Sequence, residues 1–207
     1  MADAIDRLTA ALARPGRDTS DYDLNPQAVL LAGRVLRPAA VLVAFIEGAQ
    51  GVEVVLTKRA SHLQHHPGQI AFPGGKVDAT DADAIAAALR EAHEEIGLDP
   101  AHTRILGTMA AHETVTSFSV TPVLCRIRGT FTPVPEAGEV DEVFRVPLAH
   151  FIDPARFRIE QRRWRGEWRR YYVVPYGPYY IWGATARILR ALADGMANAD
   201  HGGLDQG

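Results

Sequence analysis

Two runs decide the reading: Phe72-Pro73-Gly74-Gly75-Lys76-Val77-Asp78 and, after a short acidic turn, Ala84 to Gly97, AIAAALREAHEEIG. Ala and Leu dominate the second run, and both are strong helix formers. Asp81 and Asp83 sit where an N-cap and a first-turn acid belong, and Gly97 sits where a left-handed cap ends a helix. At about 100° per residue, Ile85, Leu89, Ala92 and Ile96 share one stripe, predicted to be the buried face. Glu91, Glu94 and Glu95 gather on another face through their i, i+3 and i+4 spacing. Three carboxylates so close repel one another and weaken the helix, so local stability does not account for them. A hard divalent cation does, since Mg²⁺ or Mn²⁺ takes oxygen ligands and is commonly shared with substrate phosphates. Arg90, beside them, is placed to hold one carboxylate by a bidentate pair. A bare acidic cluster is usually a solvated helix face. The Gly-Gly turn at a set distance upstream favours the metal instead.

The rest of the chain sets limits. Its 207 residues, 47% hydrophobic and 23% charged, suit one globular domain with a sizeable core and some added terminal structure. A formal charge of −3 provides no global basic field, which argues against nucleic acid as a partner. The lone cysteine, Cys125, excludes an internal disulfide and a cysteine-based zinc site, and its apolar surroundings read as inert core. The N-terminus, MADAIDRLTAALARPGR, has early acids and no apolar segment of the kind that makes a signal peptide. No apolar run approaches the ~18 residues needed to span a bilayer. The C-terminal LDQG is not a peroxisomal address. A soluble cytoplasmic protein without a membrane partner is expected.

Residues 3–13 place Ile5, Leu8 and Leu12 at helical spacing, ended by Pro15-Gly16. This helix is expected to pack on the domain or on a second subunit of a homodimer, and it carries no chemistry. A connector with a turn at Asn25-Pro26 leads to Pro38–Glu47, an apolar run suited to a strand covered on both faces. Gly48 to Gly51 turns the chain, and Val52 to Thr57 returns as a second strand. After the helix, Arg104 to Ala111 and Phe118 to Ile127 read as strands, with Pro122 pointing to an edge or a bulge. The polar loop His112 to Ser117 between them is placed to close over a site. Phe131 to Glu142 is a long Pro/Gly/acid loop before the strand-like Val143 to Val146; Glu139 and Glu142 in it are candidates for a further metal ligand or a general base. A short helix follows at Pro147 to Ile152. Phe157 to Val174 alternates arginines with aromatics around Arg165-Gly166-Glu167, a hairpin. Such a pattern can stack nucleic acid or adenine; the net charge favours an ordinary ribbon with a cationic outer face. Tyr180 to Ala186 opens a last helix running to about Asp194.

Arg90-Glu91-Ala92-His93-Glu94-Glu95-Ile96-Gly97-Leu98 resembles, without a gap, the tail of the Nudix box: Arg-Glu-small-x-Glu-Glu-x-Gly-aliphatic. That box places its first Glu six residues after the Gly and eight before the Arg. Counting forward from Gly75 gives Asp81 and counting back from Arg90 gives Ala82, so the connecting loop differs by one residue. A second stretch resembles the signature of the coenzyme A pyrophosphatase branch: Leu-Leu-Thr-x-Arg-Ser/Ala, a further Arg, a Gly, then Phe-Pro-Gly-Gly. Thr57, Arg59, Ala60, Gly68 and Phe72 to Gly75 fit it in register, as does the later run Ile181-Trp182-Gly183-Ala184-Thr185-Ala186. Gln64 stands where the branch has its second Arg, and a neutral amide cannot give a phosphate the forked, charged contact that Arg gives.

The resemblance implies an α/β fold, the Nudix α/β/α sandwich with a mixed β-sheet, over residues 38–195. Residues 1–37 would add the helix and connector, and 196–207 a disordered tail. It implies a metal-dependent hydrolase that cleaves the diphosphate of coenzyme A or its thioesters to 3′,5′-ADP and 4′-phosphopantetheine. The alternatives are a Nudix pyrophosphatase for ADP-ribose or nucleoside triphosphates, and a non-catalytic nucleotide-binding module. Glu91, Glu94 and Glu95 would bind Mg²⁺ or Mn²⁺ together with the backbone of Gly75, and Arg90 would orient them. Arg59, Gln64, His65, His66, Gly68 and Phe72 would meet the substrate. With Gln64 neutral, weak discrimination between coenzyme A and dephospho-coenzyme A is expected unless His65 or His66 supplies the charge.

Overall fold

The computed structural model describes residues 2–13, 16–30, 33–49, 51–164 and 166–201. In chain order its elements begin α1 (Ala2–Leu12), β1 (Thr19–Ser20), β2 (Arg37–Gly48), β3 (Gly51–Arg59), β4 (Ile70–Ala71), β5 (Gly74–Lys76) and α2 (Ala84–Ile96). They continue with β6 (Thr103–Thr108), β7 (His112–Glu113), β8 (Phe118–Ile127), β9 (Val140–Pro147) and α3 (Leu148–Phe151). The hairpin β10 (Arg158–Trp164) and β11 (Glu167–Val173) and a final helix α4 (Ala184–His201) complete the chain.

The apolar run read as a doubly covered strand is the centre of the sheet. Side chains alternate between faces along a strand. Ala40, Leu42, Ala44 and Ile46 of β2 enter one core with Ala87, Ala88, Ala92 and Ile96 of α2. Ala39, Val43 and Phe45 enter the other, with Leu8 of α1, Phe151 of α3 and Ile188, Leu189 and Leu192 of α4. Helices therefore cover both faces of a mixed sheet, the three-layer arrangement expected from the sequence.

β2 pairs in parallel with β8 along nearly its whole length, from Arg37↔Phe118 to Phe45↔Arg126. Its other edge is divided. The Phe45–Gly48 end pairs with β3, and the Ala39–Val41 end pairs with β5. This inserts Gly74-Gly75 beside the centre of the sheet, under α2. Pro122 lies within β8 rather than at the sheet edge. It falls between the segment paired to β7 and the segment paired to β6, and its carbonyl accepts from the Met109 N–H at 2.9 Å. A residue without an N–H is tolerated at such an interruption.

One boundary differs from expectation. α4 continues beyond Asp194 to His201 because Met196, fully buried, still faces the core; residues 196–201 are thus helical, and 202–207 lie outside the described residues. The N-terminal helix is part of the same core, packing on α4 and β6 within the chain. Leu8→Ala should therefore destabilise the whole fold by about 2–5 kcal/mol, as buried leucines do. Chemical denaturation measures this, and a loss below about 1 kcal/mol would show that α1 does not belong to the cooperative unit.

Candidate active site

α2 is closed at both ends, C-terminally by Gly97 as its sequence foretells and at its start by Asp83 rather than Asp81. Asp83 caps the start, accepting from the Ala86 N–H at 2.8 Å, and Gly97 ends the helix at φ 69°. Its buried face is narrower than the predicted stripe. Ala87, Ala88, Ala92, Glu95 and Ile96 are buried, while Ile85 and Leu89 lie half-buried at the margins. Small alanines bring the helix close to β2 and β5, and the bulkier side chains move to its flanks.

That closeness builds the site. A Cβ on Gly75 would stand 2.4 Å from Glu91 Oε1, so a larger residue would push the carboxylate from this place. A Cβ on Gly74 would stand 2.4 Å from the Ala40 carbonyl oxygen. The Gly74 N–H instead donates to Glu95 Oε2 at 3.1 Å. Glu95 is only 4% exposed, with Arg59 Nη1 3.9 Å from its other oxygen. Burial pushes its pKa up to about 7, opposed by the Gly74 N–H and Arg59 and aided by the charges of Glu91 and Glu139. Burial also raises Glu91, against the pull of Arg90 and with the help of Glu94 and Glu139.

Arg90 is a hub rather than half of one pair. Its Nε and Nη2 donate to the two oxygens of Asp81, each at 3.0 Å. Nη1 donates to Glu91 Oε1 at 3.0 Å and to Glu94 Oε2 at 3.1 Å, and Nη2 also reaches the Lys76 carbonyl. Asp81 lies ahead of the helix and acts as the anchor of Arg90, whose guanidinium holds that carboxyl below its usual range. Glu94 is the exposed member of the three glutamates.

The long Pro/Gly/acid loop is bound to the end of α2. The Val134 and Glu136 N–H groups donate to the Ile96 and Glu95 carbonyls, both at 2.9 Å, filling two acceptors that a helix end leaves open. Ala60, next to Arg59, donates to the Glu139 carbonyl at 2.8 Å. Glu139 is thereby brought close enough to Glu91 and Glu95 for its charge to be felt by both. Glu142 is not. It belongs to β9 rather than to the loop, opposite Lys58, and accepts a hydrogen bond from the Tyr179 hydroxyl.

Among the described residues, no three acidic, histidine or cysteine side chains already converge in a metal-holding arrangement. Arg90 accounts for this by engaging Glu91 and Glu94. The donor set still suits a hard cation: Glu91 and Glu95 crowd each other and Glu139, their ionisation is opposed by burial, and Gly75 leaves its backbone open beside Glu91.

Arg59 also lines a cavity of about 330 Å³ that begins beside this carboxylate cluster. Phe72 and His66 line it too, with Thr114 to Thr116 from the loop expected to close over the site. Burial lowers the His66 pKa, as do the nearby charges of Arg59 and Arg162. Gln64 and His65 are exposed and line neither this cavity nor its neighbour, so Gln64 has no visible bearing on it. Gly68, at φ 67°, turns the chain beside the neighbouring cavity. Sequence reasoning missed the opposite wall. The β10–β11 hairpin is no free ribbon, because Arg162, Trp164, Arg169 and Tyr171 face the cavity together with Trp182. The alternation of arginine with aromatics was the signal for it.

A family model for the NUDIX domain matches residues 36–167. The chain is 44% identical over 157 residues to Uncharacterized Nudix hydrolase NudL of Enterobacter sp. (strain 638), covering 76% of this chain and 81% of that protein. It is 43% identical, over the same shares, to the protein of that name from Salmonella paratyphi B. In structure it is similar to a MutT/nudix family protein from Enterococcus faecalis, at TM-score 0.50 and 15% identity over 84% of this chain and 66% of that one. The chain belongs to the Nudix family, hydrolases of phosphoric anhydride bonds in nucleotide derivatives. No described helix is long and apolar enough to cross a membrane.

The buried carboxylate sets a pH test. Glu95 has a folded pKa of about 7 against an ordinary 4.5, so the folded state holds the proton more tightly than the unfolded one. Its stabilising effect is therefore full below about pH 4.5 and is lost as pH rises through 7. In metal-free protein the loss should approach about 3 kcal/mol, and Glu95→Gln should remove it. Denaturation of both proteins from pH 4.5 to 8 gives the difference directly, and parallel curves would show that Glu95 is not buried as described.

Proposed function

We propose that this protein hydrolyses the diphosphate of coenzyme A or its thioesters, giving 3′,5′-ADP and 4′-phosphopantetheine or its acyl form. The observation that carries the reading is the meeting of two distant motifs. Arg59 and Phe72, from the stretch resembling the coenzyme A branch, wall the same cavity, and Arg59 reaches Glu95 of the Nudix box.

Each residue then has a physical task. Arg59 offers its guanidinium to the diphosphate oxygens as they approach Glu95. Gly75 leaves room for the Glu91 carboxylate against the strand, which keeps that carboxylate at the inner side of α2. Arg90 fixes Glu91 and Glu94 without touching substrate. Glu91, Glu94 and Glu95, with the Gly75 backbone, would hold Mg²⁺ or Mn²⁺, which when bound supplies neutralisation of the diphosphate charge and activation of water. Water adds to one phosphorus as the bridging oxygen departs with the other phosphate. Glu139, on the loop between Arg59 and α2, is the carboxylate placed to take the proton that water loses.

Incubation with coenzyme A, an acyl-coenzyme A, ADP-ribose and nucleoside triphosphates, with chromatography of products, tests the reading. Coenzyme A and its thioester should be cut fastest, at the diphosphate. Faster turnover of ADP-ribose or a triphosphate would overturn the substrate, and turnover of none would make the domain a binding module. Chelation should abolish activity and Mg²⁺ or Mn²⁺ restore it. Glu91→Gln and Glu95→Gln should each lower turnover at least ~10²-fold in folded protein. Near-normal turnover in both would dismiss the metal site.

A further inference from the structure

The hairpin wall of the cavity holds more positive charge than cleavage of a diphosphate at Glu95 requires. Arg162, Arg169 and Arg170 line it in addition to Arg59. Asp21 is the one acid among the described lining residues, and both its oxygens are engaged. Oδ1 meets His112 Nε2 at 3.2 Å, and Oδ2 accepts from the Val115 N–H at 2.9 Å.

Arg169 is the sharpest case. Its Nε and Nη1 are buried without a hydrogen-bond partner among the described residues. Its guanidinium carbon lies 4.6 Å from the Trp164 ring centroid and 5.3 Å from that of Tyr22. Stacking on aromatic faces supports the charge but leaves the in-plane N–H donors unused. Buried donors of this kind call for an acceptor. Arg162, an exposed residue, also lies over a ring, 4.0 Å from the Trp182 centroid.

We propose that Arg169, assisted by Arg162, binds a phosphomonoester on the nucleotide half of the substrate, separate from the diphosphate held at Arg59 and Glu95. This rests on the coenzyme A reading, where such a group is the 3′-phosphate of the ribose, but it is tested apart from it. A second anion fixed by its own arginines sets the nucleotide's position and gives selectivity that Gln64, exposed elsewhere, does not provide.

Calorimetric titration of the wild-type protein with adenosine 3′,5′-bisphosphate, AMP and inorganic phosphate needs no variant. The bisphosphate should bind about 10-fold or more tightly than AMP, and inorganic phosphate should compete poorly. Equal affinity for bisphosphate and AMP overturns the subsite, and so does full competition by inorganic phosphate alone. In turnover, the ratio of kcat/KM for coenzyme A over dephospho-coenzyme A should exceed about 10 in wild type and fall towards 1 in Arg169→Gln, with a smaller fall in Arg162→Gln. Hydrolysis of both substrates at equal rates overturns the subsite and leaves the coenzyme A reading standing. Hydrolysis of neither, with the bisphosphate preference intact, overturns that reading and supports the subsite.

Discussion

The carboxylate of Glu91 occupies the space that a side chain at position 75 would need. The rest of the site depends on that contact. α2 lies against β5 where the strand offers Gly75 beside Glu91 and the helix offers alanines at 87, 88 and 92, while Gly74 lets β5 sit against the Ala40–Val41 backbone of β2. Close approach in turn carries Glu95 out of water and onto the Gly74 N–H. The Gly74 N–H that Glu95 meets belongs both to this packing and to the carboxylate's surroundings. Packing and chemistry are here one requirement.

Crowding carboxylates is costly, and the compensation is uneven. On the solvent side, Arg90 spans Asp81, Glu91 and Glu94. On the buried side, Glu95 has one N–H and an arginine 3.9 Å away, and burial outweighs them. The least compensated carboxylate is therefore the buried one. A helix cluster with that imbalance favours a cation at its inner edge. Beyond Arg59 the balance reverses, and the hairpin wall is cationic. Arg59 thus touches both regions: it lies 3.9 Å from Glu95 and lines the cavity that the hairpin arginines also line.

Much of this was legible in local sequence. The cap at Gly97, the doubly covered strand and the glutamate spacing are set by neighbours a few residues apart, and they appear where the pattern places them. The buried stripe was less legible, because the pattern marks large apolar residues and the tight contact selects small ones. Asp81 looked like a misplaced member of the box, yet its role is long-range within the turn: it anchors Arg90 from nine residues away. Gln64 and Glu142 show the opposite failure. Position in a motif or loop suggested contact, but the chain turns one outward and places the other on a strand against Tyr179.

The hairpin could not be placed from its own residues, because what positions it lies some 145 residues away in sequence. The Asn25 side chain, 2% exposed, acts as a strand partner for Arg170: its amide donates to the Arg170 carbonyl at 2.9 Å, and its oxygen accepts from the Arg170 N–H at 2.8 Å. A second donation, to the Asp21 carbonyl at 3.0 Å, ties that amide to its own turn. Tyr22 in the same turn lies against Arg169. Arg187 of α4 holds Asp23 through two nitrogens, at 2.7 and 2.9 Å. The segment that reads as a plain connector is therefore the bracket that fixes the cationic wall to the final helix. The hairpin wall is held from the chain outside the Nudix box, and the connector's polar residues do the holding.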